Sequence, residues 1–214
     1  MTGKDDGIMY TTKGSSSAVT IANAQLFNRQ LGIYGGQLYG CSNGGFEVFT
    51  VGTGTPTTTG QTMVHLPGTD HNGNYPPGPV DAFAFIFLDV SSSIPGVDTL
   101  YVADQTLSAA AGGGVLKYCL ASTGGSWVLM GNLFTTDNHA IRGVTGYISG
   151  GNVILYAVGC FSNANPTITN TLFRIVDNTG YNGTISSGAQ NVTALATPTY
   201  YTNTEVRGIA LAPP

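Results

Sequence analysis

Three arginines carry the first chemical signal in this chain. Arg142 and Arg207 share one short context, Ile141-Arg142-Gly143-Val144 and Val206-Arg207-Gly208-Ile209, and Arg29 opens a comparable run, Asn28-Arg29-Gln30-Leu31. A guanidinium is a planar fork of donors that matches a carboxylate or phosphate, so equivalent arginines could clamp an anion. They could equally tie neighbouring repeats together by bonding loop carbonyls or a carboxylate such as Asp104, and repeated positions serve structure more often than chemistry. The matching position of a further repeat holds Phe83, which interrupts a complete ring of charge. Acidic and imidazole side chains gather in three other stretches: Asp70, His71, Asn72 and Asp81 in and after the polar run 67–79, Asp137, Asn138 and His139 before Arg142, and Glu205 before Arg207.

The chemistry open to these groups is limited. Asp70, His71 and Asp81 could gather around a hard cation, Ca²⁺ being the weaker alternative to no cofactor, but the regular spacing of a calcium loop is missing and turn formation explains the same residues. His139 beside Asp137 could act as acid or base, yet no Gly-x-Ser-x-Gly nucleophile motif accompanies it. We therefore nominate no catalytic residue. Ligand-binding candidates are Arg29, Asp104, Asp137, His139, Arg142, Glu205 and Arg207, and metal candidates are Asp70, His71 and Asp81.

The elements that must position these groups are short β-type runs. The dipeptide Leu-Tyr recurs at Leu38-Tyr39, Leu100-Tyr101 and Leu155-Tyr156, each time after a turn-rich piece and before another apolar run. Phe83-Ala84-Phe85-Ile86-Phe87-Leu88 and Val153-Ile154-Leu155-Tyr156-Ala157-Val158 are apolar on both faces of a strand, so both faces must be covered. Radially stacked sheets do that. The expected fold is all-β, a β-propeller with about three complete four-stranded blades and partial blades at both ends; a β-sandwich is the alternative. Residues 1–24 read as the outer hairpin of a split blade, 25–67, 82–132 and 139–196 as blades, and 204–214 as the innermost strand of the split blade, whose second strand is missing. Bare sheet faces at the two ends call for self-association or for an absent N-terminal half.

Composition narrows the class. The chain has 31 glycines, and charged residues make up 8% of it against about 25% in an average soluble protein. Surface polarity must come from hydroxyls and amides. Seven Lys and Arg and a net charge of −4 leave no basic groove for a nucleic-acid partner. The longest apolar run, 82–88, is too short to span a membrane, and no hydrophobic stretch follows the start, so no signal peptide is expected here. Cys41, Cys119 and Cys160 lack metal-ligand spacing and read as buried free thiols, with one disulfide plus a spare thiol left open. Trp127 reads as strand packing, and Tyr200-Tyr201 would suit sugar stacking only on an exposed loop. Asn182-Gly183-Thr184 and Asn191-Val192-Thr193 are acceptor sequons, meaningful only in a secreted eukaryotic protein.

The segments 96–104 (Gly-Val-Asp-Thr-Leu-Tyr-Val-Ala-Asp), 113–118 (Gly-Gly-Val-Leu-Lys-Tyr), 142–146 (Arg-Gly-Val-Thr-Gly) and 207–213 (Arg-Gly-Ile-Ala-Leu-Ala-Pro), with 51–56 and 66–68, resemble the C-terminal half of an uncharacterised family of propeller-like proteins from plants and bacteria. The resemblance implies a longer ring and secretion for the parent, and carries no catalytic residues. The expected function is a non-enzymatic binding or scaffolding propeller that recognises a small anion, carbohydrate or protein on its loop-rich face. The alternative is an enzyme of the propeller hydrolase or lactonase type with a metal near the channel.

Overall fold

The computed structural model describes residues 2–3, 7–24, 27–43, 46–70, 79, 81–106, 112–133, 140–160, 170–188, 190–197 and 208–211. Every named element is a β-strand, and every pairing between strands is antiparallel. A small sheet holds β1 (Thr2–Gly3), β2 (Gly7–Tyr10) and β3 (Val19–Ala22) in chain order. Three four-stranded meanders follow, each also in chain order: β4 (Asn28–Tyr34), β5 (Gln37–Ser42), β6 (Val48–Val51) and β7 (Met63–His65); β8 (Ala82–Leu88), β9 (Thr99–Asp104), β10 (Gly114–Leu120) and β11 (Trp127–Leu133); β12 (Ala140–Ser149), β13 (Asn152–Cys160), β14 (Thr171–Asp177) and β15 (Asn191–Ala196). The expected all-β, propeller-like repeats are present. Each Leu-Tyr pair lies on the second strand of its meander.

The small sheet contains a strand that the sequence did not suggest. Thr2–Gly3 pairs with β2 on the side away from β3. Two residues carry too little side-chain pattern to be read as a strand in sequence. At the other end, residues 208–211 lie outside any strand, and the rest of 204–214 falls outside the described residues.

Tight turns explain why the runs fold back so quickly. Gly35-Gly36 and Gly150-Gly151 all have positive φ, between 55° and 79°, as a two-residue hairpin of the matching twist requires. They join the first and second strands of their meanders.

The middle sheet, β8 to β11, is covered on both faces. On one face Ile86, Tyr101, Ala103, Val115 and Leu133 pack with Ile141, Val144, Leu155, Phe173 and Ile175 of the following sheet. On the other, Phe85, Phe87, Leu100, Val102, Leu116 and Tyr118 pack with Cys41, Val48 and Leu66 of the preceding one. Every residue of β9 is buried. Each such Leu, Ile or Phe contributes about 1.5–3 kcal/mol relative to exposure. Trp127, buried in β11, sits 5.4 Å from the Phe87 ring, which makes it a packing residue. All three cysteines are buried and free.

One charged pair interrupts the apolar interface between the second and third meanders. Lys117 and Asp177 are fully or almost fully buried, with Nζ 2.7 Å from Oδ2. Tyr101 Oη donates to the same carboxylate at 2.6 Å, Thr179 donates to it from Oγ1 at 2.6 Å and from its backbone at 2.9 Å, and Lys117 also donates to Thr179 Oγ1 and to the Gly180 carbonyl. Burial alone raises the Asp177 pKa, but bonds from Lys117, Thr179 and Tyr101 outweigh it and hold the group below the ordinary carboxylate value. The pair stabilises the fold fully above the unfolded-state pKa of Asp and loses that contribution as pH falls through the lower folded-state value. We expect Lys117→Met to destabilise by about 3–5 kcal/mol, because it strands a buried carboxylate, and Lys117→Met with Asp177→Leu to recover most of that loss. Urea unfolding of the two variants checks this; equal losses in both would contradict it.

Candidate functional site

The first strand of each meander carries a bulge near its start. Pairing runs from Asn28 opposite Ser42 to Leu31 opposite Gly40, from Ala82 opposite Asp104 to Ala84 opposite Ala103, and from Ile141 opposite Gly159 to Gly143 opposite Val158. The extra residue falls at Arg29-Gln30, at Phe83 and at Arg142. A bulge twists the strand and re-aims a side chain out of the sheet's regular alternation. The three side chains meet. Arg29 Cζ lies 4.6 Å from the centre of the Phe83 ring and Arg142 Cζ lies 5.5 Å from it, so one aromatic ring receives two guanidinium groups. Such contacts contribute about 0.5–1 kcal/mol each where water has access and more where it is excluded.

A hydrogen-bonded shell holds this stack. Arg29 Nη2 is 3.5 Å from Asp81 Oδ1, with both side chains about one-fifth exposed. Arg142 Nε donates to Gln105 Oε1 at 2.8 Å, and Gln105 Nε2 donates in turn to Asp81 Oδ2. Asp81 thus links both arginines, one directly and one through Gln105. Asp104, fully buried, accepts from the backbone N–H of Asp81 and of Thr106, each at 2.8 Å, and fixes the loop ends on which Asp81 and Gln105 sit. Gln30 spans two sheets: its amide donates to the Phe85 carbonyl at 3.1 Å and accepts from the Phe85 N–H at 3.0 Å.

The resulting cleft has a volume of about 320 Å³ and is lined by Arg29, Gln30, Phe83 and Arg142, with Gly208 and Ile209 closing one side. Arg29 Nε is buried and makes no hydrogen bond to a described residue. Behind Arg29, Cys41 is wholly buried. Burial pushes its thiol up to about 12, against smaller lowering effects from a hydrogen bond to Gln30's backbone and from the Arg29 charge. The thiol therefore stays protonated at neutral pH.

The structure brings Arg29, Asp81, Asp104 and Arg142 to one place, as neighbours in a single network. Asp70 lies elsewhere, with Glu47 and His65. His71, Asp137, His139, Glu205 and Arg207 lie outside the described residues. Gln30, Gln105 and the platform role of Phe83 were not read from sequence. Glutamines carry no spacing signal, and Phe83 looked like an interruption because a bulge that turns it inward leaves no mark in an apolar run. Comparison with family models, curated proteins and solved structures finds no match for this chain.

The buried thiols give a direct check on the packing behind the cleft. We expect Cys41, Cys119 and Cys160 to resist an aromatic disulfide reagent at pH 8 in the native protein and all three to react in denaturant. Fast reaction of Cys41 under native conditions would contradict the burial described.

Proposed function

We propose that this chain is a non-enzymatic binding module whose Arg29–Phe83–Arg142 cleft takes a small carboxylate-bearing ligand of about monosaccharide size. The observation that carries the reading is the threefold recurrence of a strand-start bulge, used each time to send one side chain into the same cleft. Two guanidinium groups converge on the cleft across the Phe83 ring, and Arg29 Nε is buried there without a hydrogen bond to a described residue. An incoming carboxylate suits those donors in the bidentate geometry that arginine favours. The volume is at the small end of the range for ligand pockets, about 300–1,000 Å³, which fits one sugar acid or comparable molecule.

The same reading treats the three meanders as consecutive blades of a propeller. What supports it over a sandwich is the middle sheet, packed on both faces, with β8 lying against both β4 and β12. In a two-sheet sandwich each sheet has one inner face. Apolar surface remains uncovered: Val192 and Leu195 in the last strand are 37% and 49% exposed, and a cleft of about 670 Å³ that opens between the small sheet and the first meander is lined by Ile8, Ile21, Leu31, Ile33 and Leu38. A second copy, or further blades of a longer ring, would cover it. Light scattering tests this; a soluble particle of 22.1 kDa at all concentrations would contradict it.

Titration calorimetry with glucuronate, galacturonate and the matching neutral sugars tests the ligand class. The acids are expected to bind and the neutral sugars not, and Arg142→Gln is expected to weaken the acids at least tenfold, about 1.4 kcal/mol. Equal affinity for acid and neutral sugar, or no effect of the substitution, would overturn the carboxylate reading.

A further inference from the structure

We infer that Glu47, His65 and Asp70 form a binding site for one divalent transition-type cation, with Zn²⁺ as the reference ion, separate from the arginine cleft and independent of the reading given for it. One ligand atom from each residue lies within 4.8 Å of the other two. Glu47 Oε2 and His65 Nδ1 are 3.6 Å apart. That is too long for a hydrogen bond, but close to the spacing of two atoms that each lie about 2.0–2.2 Å from one tetrahedral Zn²⁺, roughly 3.4 Å.

Three features make this a held arrangement. The Glu47 side chain is 1% exposed, so its carboxylate is held inside the protein by the surrounding packing. His65 Nδ1 is buried and makes no hydrogen bond to a described residue, while its ring stacks on Phe46 at 4.6 Å with an 11° tilt, which sets the direction of the lone pair. Asp70 follows a pinned turn: the Trp127 N–H donates to the Pro67 carbonyl at 2.7 Å, and Thr69, fully buried, donates from Oγ1 to the Leu66 carbonyl at 2.9 Å. Gly68, with φ of 90°, lies so close to the Trp127 carbonyl that a Cβ there would collide with it.

Electrostatics and donor type then select the ion. A cation held between the two carboxylates would interact favourably with both. An imidazole nitrogen beside two carboxylate oxygens suits Zn²⁺, Co²⁺ or Mn²⁺ better than Ca²⁺, which takes six to eight oxygens. Three protein ligands leave a coordination position for water, as in an open zinc site.

The experiment uses the full chain, stripped with a chelator and titrated with Zn²⁺ by calorimetry and with Co²⁺ by visible absorption. We expect one ion per chain and ligand-field bands of a nitrogen- and oxygen-coordinated Co²⁺. Glu47→Gln and His65→Phe, the latter keeping the stack on Phe46, should each weaken Zn²⁺ at least tenfold, while Asp89→Asn on the exposed surface should not. Circular dichroism of the stripped variants separates lost ligation from lost fold. The inference is overturned if the wild-type chain binds neither ion at one equivalent, if it binds Ca²⁺ in preference, or if a folded His65→Phe binds Zn²⁺ as tightly as wild type.

Discussion

The structure depends on a sheet that is packed on both faces. Strands β8 to β11 present aromatic and aliphatic side chains in both directions, so a sheet must lie on each side before the middle one is stable. This demand sets the order of the row and brings the starts of β4, β8 and β12 close together. The Lys117–Asp177 pair adds specificity to one of the two interfaces. A buried pair contributes little net stability against an apolar substitute, but a wrong register would leave either charge stranded.

The arginine cleft follows from that frame. Antiparallel meanders bring the start of the first strand and the end of the second to one edge, which is why Ala82 lies opposite Asp104 and Asn28 opposite Ser42. Three bulges at this edge turn Arg29, Phe83 and Arg142 toward one another, and the Asp81–Gln105 network restrains both arginines. Glu47 and Asp70 sit on the loops that end at the same edge, between β5 and β6 and after β7. Arg29, Glu47, Asp70, Asp81, Asp104 and Arg142 thus lie toward one end of the sheets.

Most of the strands were legible in the sequence, and the reason is physical. Runs such as Phe83–Leu88 and Val153–Val158 are too apolar for a one-sided sheet, and glycine pairs mark the hairpins between strands. Thr2–Gly3 was illegible, since two residues show no periodicity. The equivalence of Arg29, Phe83 and Arg142 could be read, but not their convergence, because the bulges depend on pairing register. Glu47 and His65 were invisible for a related reason: they are 18 positions apart, and only the pairing of Phe49 with His65 draws them together. Sequence spacing recorded Asp70 and Asp81 as one loop, whereas the structure assigns them to different networks.

One aromatic ring, Phe83, organises two arginines from neighbouring sheets. Nuclear magnetic resonance of the arginine side chains tests it most directly, because protons held over a ring face are shifted upfield by the ring current. Upfield side-chain signals are expected for both Arg29 and Arg142, with a return to ordinary positions in a folded Phe83→Leu variant. Ordinary shifts for both arginines in the wild-type protein would contradict it.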